Sequence, residues 1–522
     1  MGVATAEPLA AVEPAPPRRL RLSHRLWGPT LCDLFFLAVI GWSFLTSQTG
    51  WSQLLLDGDT GLHIAIGNFI LDHHTVPSTD PFSFTRPNAP WPAVEWGTEV
   101  IFSSLNRAWG LKGVVFLSGI AIALLITAML RSALSSRSDS FLAIVLVLLA
   151  NNALFLHFHA RPHLFTLLFL AVSAWIVNRD SVQRTRWIWL LPALTLFWAN
   201  LHPGFVILFA YLGLVIAGSA LEWAAHGDHA ARSRASALRY TGVAAACFAS
   251  SLVNPFGYKL HLEILSYFRA SGMTDFIAEF QAPTFRSDPQ LFYMLFLFLG
   301  LGICGLLIRK KRFADVLPLL VFAYASLISV RHSTVFVIIA MPIVARELTG
   351  YWEAWAANRG RNSTVAVMKQ ISTAGRPSLM RNSVWPVLAM LALFLLLPAS
   401  YWPSGFDDRL FPVKMVQRHG PELASERLFT HDQWADYLLY VNYPRQRVFY
   451  DDRSLYGERM FRKVAGILDQ RPGWRESLEQ YKVALVLCPS QSALGSGLAE
   501  APGWSLVDRD ATALLYRHTG SK

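Results

Sequence analysis

Charged side chains are scarce in this chain. Asp, Glu, Lys and Arg together make up 16% of its 522 residues, whereas 53% of the residues are hydrophobic. The mean hydropathy is +0.35. Soluble globular domains carry roughly 25% charged residues, so this composition excludes a soluble globular protein and indicates a polytopic membrane protein.

Cysteine is also rare, with four residues in the chain. Cys32, Cys247 and Cys304 fall within or beside hydrophobic stretches, which leaves Cys488 alone in the C-terminal part. A lone cysteine has no partner within its own domain. The composition therefore excludes a disulfide framework and a cysteine-type metal site in the C-terminal part.

Long hydrophobic runs, in contrast, are abundant. A helix needs about 20 apolar residues to cross the hydrocarbon core of a membrane, where its backbone groups must be hydrogen-bonded internally. By this criterion we predict about 11 membrane spans. The predicted spans are approximately 31–46, 113–130, 141–156, 164–177, 187–201, 205–221, 240–253, 290–308, 314–330, 333–345 and 384–399.

The distribution of Lys and Arg predicts the orientation of these spans, because both residues resist translocation across the membrane. With the N-terminus in the cytoplasm, the cytoplasmic segments hold 22 of the 46 Lys and Arg residues and the outer loops hold 8. An odd number of spans then places the C-terminus outside. Since topology accounts for most of the net charge of +11, we infer no nucleic-acid partner.

The sequence divides into three regions. Residues 1–30 are rich in Ala and Pro and predict a disordered cytoplasmic N-terminus, followed by an all-α polytopic transmembrane bundle over 31–399. Residues 400–522 have an ordinary charged composition and predict a small extracytoplasmic α/β domain. Its predicted helices cover 433–443 and 458–470, and its predicted strands cover 447–450, 483–488 and 512–517.

The first outer loop, residues 48–112, is too long and too apolar for a simple connection. Two of its segments, 60–73 and 94–107, are amphipathic at helical spacing. We predict that both helices lie along the bilayer surface.

An acidic motif, Asp57-Gly58-Asp59, begins the first of these helices, with His63 one turn after Asp59. A carboxylate at this position could act as a general base on a hydroxyl group, with His63 beside it. Asp57 and Asp59 could instead hold a divalent cation such as Mg²⁺ or Mn²⁺. Asp59 could also be no more than the N-cap of the helix.

Glu95 and Glu99, one turn apart on the second helix, are a secondary acidic group. A solvated helix face would explain these two residues equally well.

Basic residues and histidines cluster at the outer ends of other spans. His157, His159, Arg161 and His163 lie between the third and fourth spans, and Arg331-His332 lies between the ninth and tenth. Arginine and histidine can bind a phosphate group. Snorkelling of single side chains at the interface would explain any one of them, but explains the joint pattern less well.

A further candidate is the segment Tyr450-Asp451-Asp452-Arg453 in the C-terminal region. It follows a predicted strand and could form a binding loop. A turn with a capping Asp is the favoured interpretation.

With its acidic motif in the first outer loop, two surface helices and outer C-terminal domain, the chain resembles the GT-C glycosyltransferases. The resemblance implies inverting transfer of a sugar from a polyprenyl-phosphate carrier to an extracytoplasmic lipid, glycan or protein acceptor. Asp59 or Asp57 would be the base. The lipid phosphate would be bound by Arg161, His163, Arg331, His332 and His159.

The same resemblance implies a multi-pass protein of the inner (plasma) membrane with its active face outside. It predicts membrane lipid as a partner and no certain cofactor, with a divalent cation as an option. The segment from Trp434 to Leu438 matches only part of the Trp-Trp-Asp-Tyr-Gly motif of oligosaccharyltransferases. Peptide recognition is therefore not carried over.

Three alternatives remain open from the sequence. A transporter or flippase would also need cationic groups, but it would usually place charges near the membrane midplane, where these spans have almost none. A polymerase or ligase of lipid-linked glycans would use a similar set of residues. A partner-binding domain on an inert membrane anchor would not need the clustering at the span ends.

Overall fold

A computed structural model describes residues 26–46, 49–225, 230–269, 278–360 and 362–520. Most of the predicted N-terminal segment, residues 1–25, lies outside this range. The described part of the chain up to residue 400 consists mainly of α-helices. In chain order these are α1 Leu31–Ile40, α2 Asp59–His73, α3 Trp96–Trp109, α4 Leu111–Ser135, α5 Ser140–Leu154, α6 His163–Val182, α7 Leu191–Leu201, α8 Val206–Ala224, α9 Ala230–Ser251, α10 Lys259–Arg269, α11 Asp288–Arg309, α12 Phe313–Ile328, α13 Arg331–Ala357, α14 Thr364–Leu379 and α15 Trp385–Leu396.

Each predicted span overlaps a helix, but the helices differ in their fitness to cross a membrane. In the described part of the chain, six helical segments are long and apolar enough to do so, and three shorter apolar helices accompany them. The count of about 11 spans and their orientation stay predictions. The six are Leu111–Ser135, Ser140–His157, His163–Val182, Pro203–Ala224, Asp288–Arg309 and Arg331–Ala357.

Two predicted spans do not correspond to one continuous helix of the same extent. The span at 187–201 is split into a 3₁₀ turn, Arg186–Leu190, and the short helix α7, which has a proline in its first turn. The span at 240–253 is the C-terminal part of α9, whose N-terminal part carries several arginines. One of them, Arg239, lies 3.1 Å from the fully buried carboxylate of Asp180.

Helix α13 lies in the interior of the helical region. Every residue from Ser333 to Ala345 is buried, so this segment is covered on all sides by other helices. Its N-terminal residue, Arg331, is thereby held at one end of the bundle.

The C-terminal region combines helices with a four-stranded sheet. The helices are α16 Val413–Ser425, α17 Asp432–Val441, α18 Gly457–Leu468, α19 Trp474–Gln480 and α20 Ala493–Ala499. The strands are β1 Leu428–Phe429, β2 Leu485–Pro489, β3 Trp504–Arg509 and β4 Ala513–His518. The strand order is β1-β2-β4-β3, in which β1 and β2 are parallel and the other neighbours antiparallel.

The structure confirms both predicted helices of this region, as α17 and α18, and two of the three predicted strands, as β2 and β4. The strand predicted at 447–450 is wrong. Val448 forms only an isolated parallel bridge with Ser83 of the first outer loop. Its neighbours Phe449 and Tyr450 are buried in a hydrophobic core, so their apolar pattern reflects packing and not a sheet.

The first predicted surface helix is also more buried than its pattern indicated. Every residue of α2 from Asp59 to Gly67 is buried, because α3 packs on one side and α17 on another. A methyl group at Gly67 would overlap the carbonyl oxygen of Glu99, and one at Gly61 would lie 3.1 Å from the carbonyl oxygen of Asp436. From Asp59 to Gly67, α2 therefore has no exposed face, and glycine permits the close packing. The position of the helix along the bilayer surface stays a prediction.

Candidate active site

A cavity of about 340 Å³ lies where α2, the N-terminal ends of α6 and α13 and a loop of the C-terminal region meet. It brings together most of the site residues predicted from the sequence. Its charged and histidine lining residues are Asp59, His63, Glu95, Glu99, His157, Arg161, His163, His202, Glu263, Glu279, Arg331, His332, Asp452 and Arg453.

Arg161 lies at the centre of the acidic part of the cavity. Its Nη1 is 2.7 Å from Asp57 Oδ2 and 3.0 Å from Glu279 Oε1, and its Nη2 is 2.5 Å from Asp59 Oδ2. Asp452 Oδ2 lies 3.9 Å from the same guanidinium group. The residue predicted to bind phosphate is thus surrounded by carboxylates.

Backbone contacts explain why Arg161 reaches α2. The N–H of Ala160 donates to the carbonyl oxygen of Leu54 at 2.8 Å, and the Thr60 hydroxyl donates to the carbonyl oxygen of Ala160 at 2.9 Å. The loop that precedes α6 is therefore fixed against the start of α2.

Asp57 and Asp59 have different local roles. Gly58 occupies the N-cap position and Asp59 is the first helical residue, so the interpretation of Asp59 as the N-cap is wrong. Asp57 accepts a hydrogen bond from the N–H of Asp59 at 3.0 Å. The Asp59 carboxylate is left to face Arg161 and the Gln433 side chain, whose Nε2 is 3.4 Å away.

The environments of the two acids shift their pKa values in opposite directions. Burial would raise the pKa of Asp57, but the charge of Arg161, the hydrogen bond from the Asp59 N–H and the charge of His159 together outweigh it and hold that pKa below its ordinary value. For Asp59, burial dominates over Arg161, and the charges of Asp452 and Asp57 add to the effect, so its pKa lies well above the ordinary value. Asp57 is therefore ionised at neutral pH, and Asp59, which has the higher pKa, is the stronger base of the two in its ionised form.

A second group of ligand-type side chains lines the cavity one turn further along α2. His63 Nδ1 is 3.5 Å from Glu99 Oε1, and His63 Nε2 is 3.6 Å from Glu95 Oε2. Glu99 is only 2% exposed, which excludes the solvated helix face considered for it. Burial raises the pKa of Glu95 to about 7 and lowers that of His63 to about 3.

This group bears on the metal prediction. One ligand atom each from His63, Glu95 and Glu99 lies within 4.8 Å of the others, a spacing that could hold an ion. Asp57 and Asp59 are instead engaged by Arg161. Metal binding by that pair stays a prediction, and the three-residue group offers a separate donor set.

The other residues predicted to bind phosphate do not all line the cavity. Arg331 Nε lies 3.9 Å from Glu279 Oε2, and its side chain is 34% exposed. His163 and His332 line the cavity, and His163 Nε2 is 2.7 Å from the carbonyl oxygen of His157. His159 is not among the lining residues.

Sequence reasoning missed Glu279 and underrated Asp452. Glu279 is a single acid in a short 3₁₀ turn, and its location in a predicted outer loop was the only signal. Burial raises the pKa of Glu279, but the charges of Arg161, Arg331, His157 and His163 together outweigh it and lower that pKa to about 2. Asp452 lies within the predicted turn, in which Asp451 Oδ1 accepts from the N–H of Arg453 at 3.0 Å. Burial raises the pKa of Asp452 to about 7.

A buried ion network attaches this loop to the first outer loop. Arg453 donates through Nε and Nη2 to the two carboxylate oxygens of Asp451, at 2.8 and 2.6 Å. Its Nη2 also lies 2.8 Å from Asp80 Oδ1, and its guanidinium lies over the Trp91 ring, 4.5 Å from the centroid. The network holds Asp452 at the cavity.

No protein-family model matches the sequence, and no curated protein is detectably similar to it. The fold, in contrast, is similar to solved structures. The oligosaccharyltransferase AglB from Archaeoglobus fulgidus, in complex with an inhibitory peptide and a dolichol-phosphate, superimposes with a TM-score of 0.57 at 11% identity, over 94% of this chain and 74% of that chain. The apo oligosaccharyltransferase from the same organism gives 0.56 at 10% identity, over 88% and 69%.

ArnT from Cupriavidus metallidurans bound to undecaprenyl phosphate gives a TM-score of 0.47 at 13% identity, over 94% of this chain and 98% of that chain. The similarity to the archaeal enzyme shows that this chain shares the fold of that oligosaccharyltransferase. The resemblance inferred from the sequence is thereby confirmed for the fold.

Proposed function

We propose that this protein is a membrane glycosyltransferase that moves a sugar from a polyprenyl-phosphate carrier to an acceptor on the extracytoplasmic side. The observation that carries the proposal is the cavity itself, in which Asp59, Arg161 and Arg331 converge at the ends of apolar helices. The dolichol-phosphate bound to the archaeal neighbour supports a lipid phosphate as the ligand.

The lining of the cavity suits a molecule with a charged head and an apolar tail. Beside the acidic and basic groups, it includes apolar side chains from α2, α8 and α13, such as Ile66, Ile207 and Val335. A lipid-linked sugar has this division of polarity, whereas a small polar solute would leave the apolar wall in contact with water.

In the proposed reaction, Asp59 accepts the proton of the acceptor hydroxyl while the hydroxyl oxygen attacks the anomeric carbon of the sugar. The bond between that carbon and the phosphate oxygen breaks, and the lipid phosphate leaves with the electron pair. The raised pKa of Asp59 suits it to take up this proton. Asp57, which Arg161 keeps ionised, orients the start of α2.

Arg331 is assigned to the lipid phosphate. Arg161 is already close to several carboxylates, which offset its charge. Arg331 is 34% exposed at the cavity and has one carboxylate partner among the described residues, at 3.9 Å. Its charge is therefore more available to stabilise a phosphate leaving group.

The test is mass spectrometry of the lipids that co-purify with the protein. Wild-type protein is expected to retain a polyprenyl-phosphate species, and Arg331→Gln is expected to lose most of it. Arg286→Gln is the matched control, because Arg286 is exposed and does not line the cavity.

Two results would contradict the proposal. One is the absence of any polyprenyl-phosphate lipid from wild-type protein extracted in mild detergent. The other is equal retention of the lipid by wild-type protein and Arg331→Gln.

A further inference from the structure

His63, Glu95 and Glu99 form a compact donor group at the junction of α2 and α3. One imidazole and two carboxylates offer ligand atoms within 4.8 Å of one another. The distance of 3.5 Å between His63 Nδ1 and Glu99 Oε1 is close to the separation of roughly 3.4 Å expected between two ligands of a tetrahedral Zn²⁺ ion with bonds near 2.0–2.1 Å.

Two atoms of this group are buried without a partner. Neither His63 Nδ1 nor Glu99 Oε2 has a hydrogen bond. Both residues are buried, with 8% of His63 and 2% of Glu99 exposed, so water does not replace the missing partners. Among the described residues, Glu99 has one ion pair within 4.0 Å, which is its contact with His63. A buried carboxylate without compensation is costly, and a cation would remove that cost.

The two helices hold the donors rigidly. Gly67, one turn after His63, packs directly against the Glu99 backbone, and Ser103 donates to Asn68 Oδ1 at 2.7 Å. Thr98, next to Glu99, donates to the carbonyl oxygen of Leu201 at 2.8 Å. Donor atoms on two locked helices are pre-organised, as a metal site requires.

His202 supports Glu95 from outside the group. Its Nδ1 accepts from the N–H of Gly204 at 2.9 Å, and a backbone N–H can only donate, so the ring proton is on Nε2. That nitrogen lies 3.2 Å from Glu95 Oε1. Glu95 Oε2 lies 3.6 Å from His63 Nε2, whereas Glu99 faces the other ring nitrogen, Nδ1, so Glu95 has to turn toward Nδ1 to share one ion with Glu99. Outer contacts of this kind orient the carboxylate ligands of metal sites.

We propose that His63, Glu95 and Glu99 bind one Zn²⁺ ion. Imidazole nitrogen and carboxylate oxygen are both ligands of Zn²⁺, and three protein ligands leave a fourth position open. All three residues line the cavity, so the open position faces the space in which an anionic ligand would bind. The proposal is separate from the proposed sugar transfer and does not depend on it.

The experiment measures Zn²⁺ bound per chain. Full-length protein, purified through a histidine-free tag, is stripped with EDTA, exchanged into chelator-free buffer and titrated with ZnCl₂ by calorimetry. Wild-type protein is expected to bind about one Zn²⁺ per chain, and Glu99→Gln and His63→Gln are expected to bind at least about tenfold more weakly. Asp72→Asn, an exposed carboxylate of α2, should bind as wild type does.

A second measurement guards against misfolded variants. Zn²⁺ is expected to raise the Tm of the wild-type protein and not that of Glu99→Gln. If Glu99→Gln does not fold, the less buried Glu95→Gln replaces it. The proposal is overturned if wild-type protein binds no Zn²⁺, or if Asp57→Asn abolishes binding while Glu99→Gln retains it.

Discussion

Arg161 and Asp59 form an ion pair in the cavity, in which Arg161 Nη2 lies 2.5 Å from Asp59 Oδ2. The two residues come from separate hairpins of the bundle. Because the same guanidinium also contacts Asp57 and Glu279, loss of the Asp59 charge alone leaves Arg161 paired. Removal of that charge can therefore be separated from loss of the fold.

Asp59→Asn tests the proposed base. The substitution keeps the shape of the side chain but removes the proton acceptor, so the rate of sugar transfer should fall by about 100-fold or more. The rate is measured with the co-purified lipid donor, and Tm is measured in parallel. Asp72→Asn, on the same helix, is the control. A folded Asp59→Asn protein with wild-type activity would rule out Asp59 as the base.

Gly67→Ala tests the close packing of α2 on α3. The added methyl group would overlap the Glu99 carbonyl oxygen and force the helices apart, which should destabilise the protein by about 1–3 kcal/mol. Gly213→Ala is the control, since a methyl group there meets no atom within 4 Å. It should be neutral or slightly stabilising in a helix. Equal Tm values for both variants would contradict the packing.

Arg453→Met tests the buried network that carries Asp452. The substitution leaves the buried carboxylates of Asp451 and Asp80 without their cation, so the free energy of unfolding should fall by about 3–5 kcal/mol. Arg471→Met is the control, because its pair with Asp469 is more than half exposed and contributes under about 1 kcal/mol. Comparable losses from both variants would show that burial is not the cause.

Asp436 gives a prediction about pH. Both its carboxylate oxygens are buried without a hydrogen bond, and burial, with the charges of Asp451 and Asp452, raises its pKa well above the ordinary value. The folded state therefore holds a proton that the unfolded chain releases near pH 4, and the stability that this proton contributes is lost as pH rises through the raised pKa.

Asp436→Asn should accordingly raise Tm at neutral pH and have little effect below pH 4. Thermal unfolding of both proteins between pH 4 and 8 measures the difference, with Asp469→Asn as an exposed control. A difference in Tm that does not change with pH would contradict a buried, protonated Asp436.

Much of the candidate site was predictable because its residues stand out locally. Asp59, Arg161 and Arg331 are charged residues beside apolar runs, and the one-sided distribution of Lys and Arg predicts that they lie on one side of the membrane. Glu279 and Asp452 were harder to predict. Glu279 is a single acid with no periodic pattern around it, and the segment that contains Asp452 was more readily explained as a turn. Only the surrounding arginines give these two residues a role.

The burial of α2 could not be predicted for a similar reason. Its apolar residues occur at helical spacing, which indicates one buried face and one exposed face. The second face is covered by α17, which begins at Asp432, far along the chain. Gly61 permits that contact, but a single glycine in a helix does not reveal what packs against it.

The sequence by itself determined that the chain is a membrane protein, where its apolar helices lie and which end of the bundle carries the charged residues. These properties depend on hydrophobicity, which each segment expresses locally. The tertiary structure decided which carboxylates share Arg161, that Asp57 and Asp59 differ in pKa, and that His63 faces Glu95 and Glu99. These properties depend on burial and on neighbours from distant segments, which only the folded chain brings together.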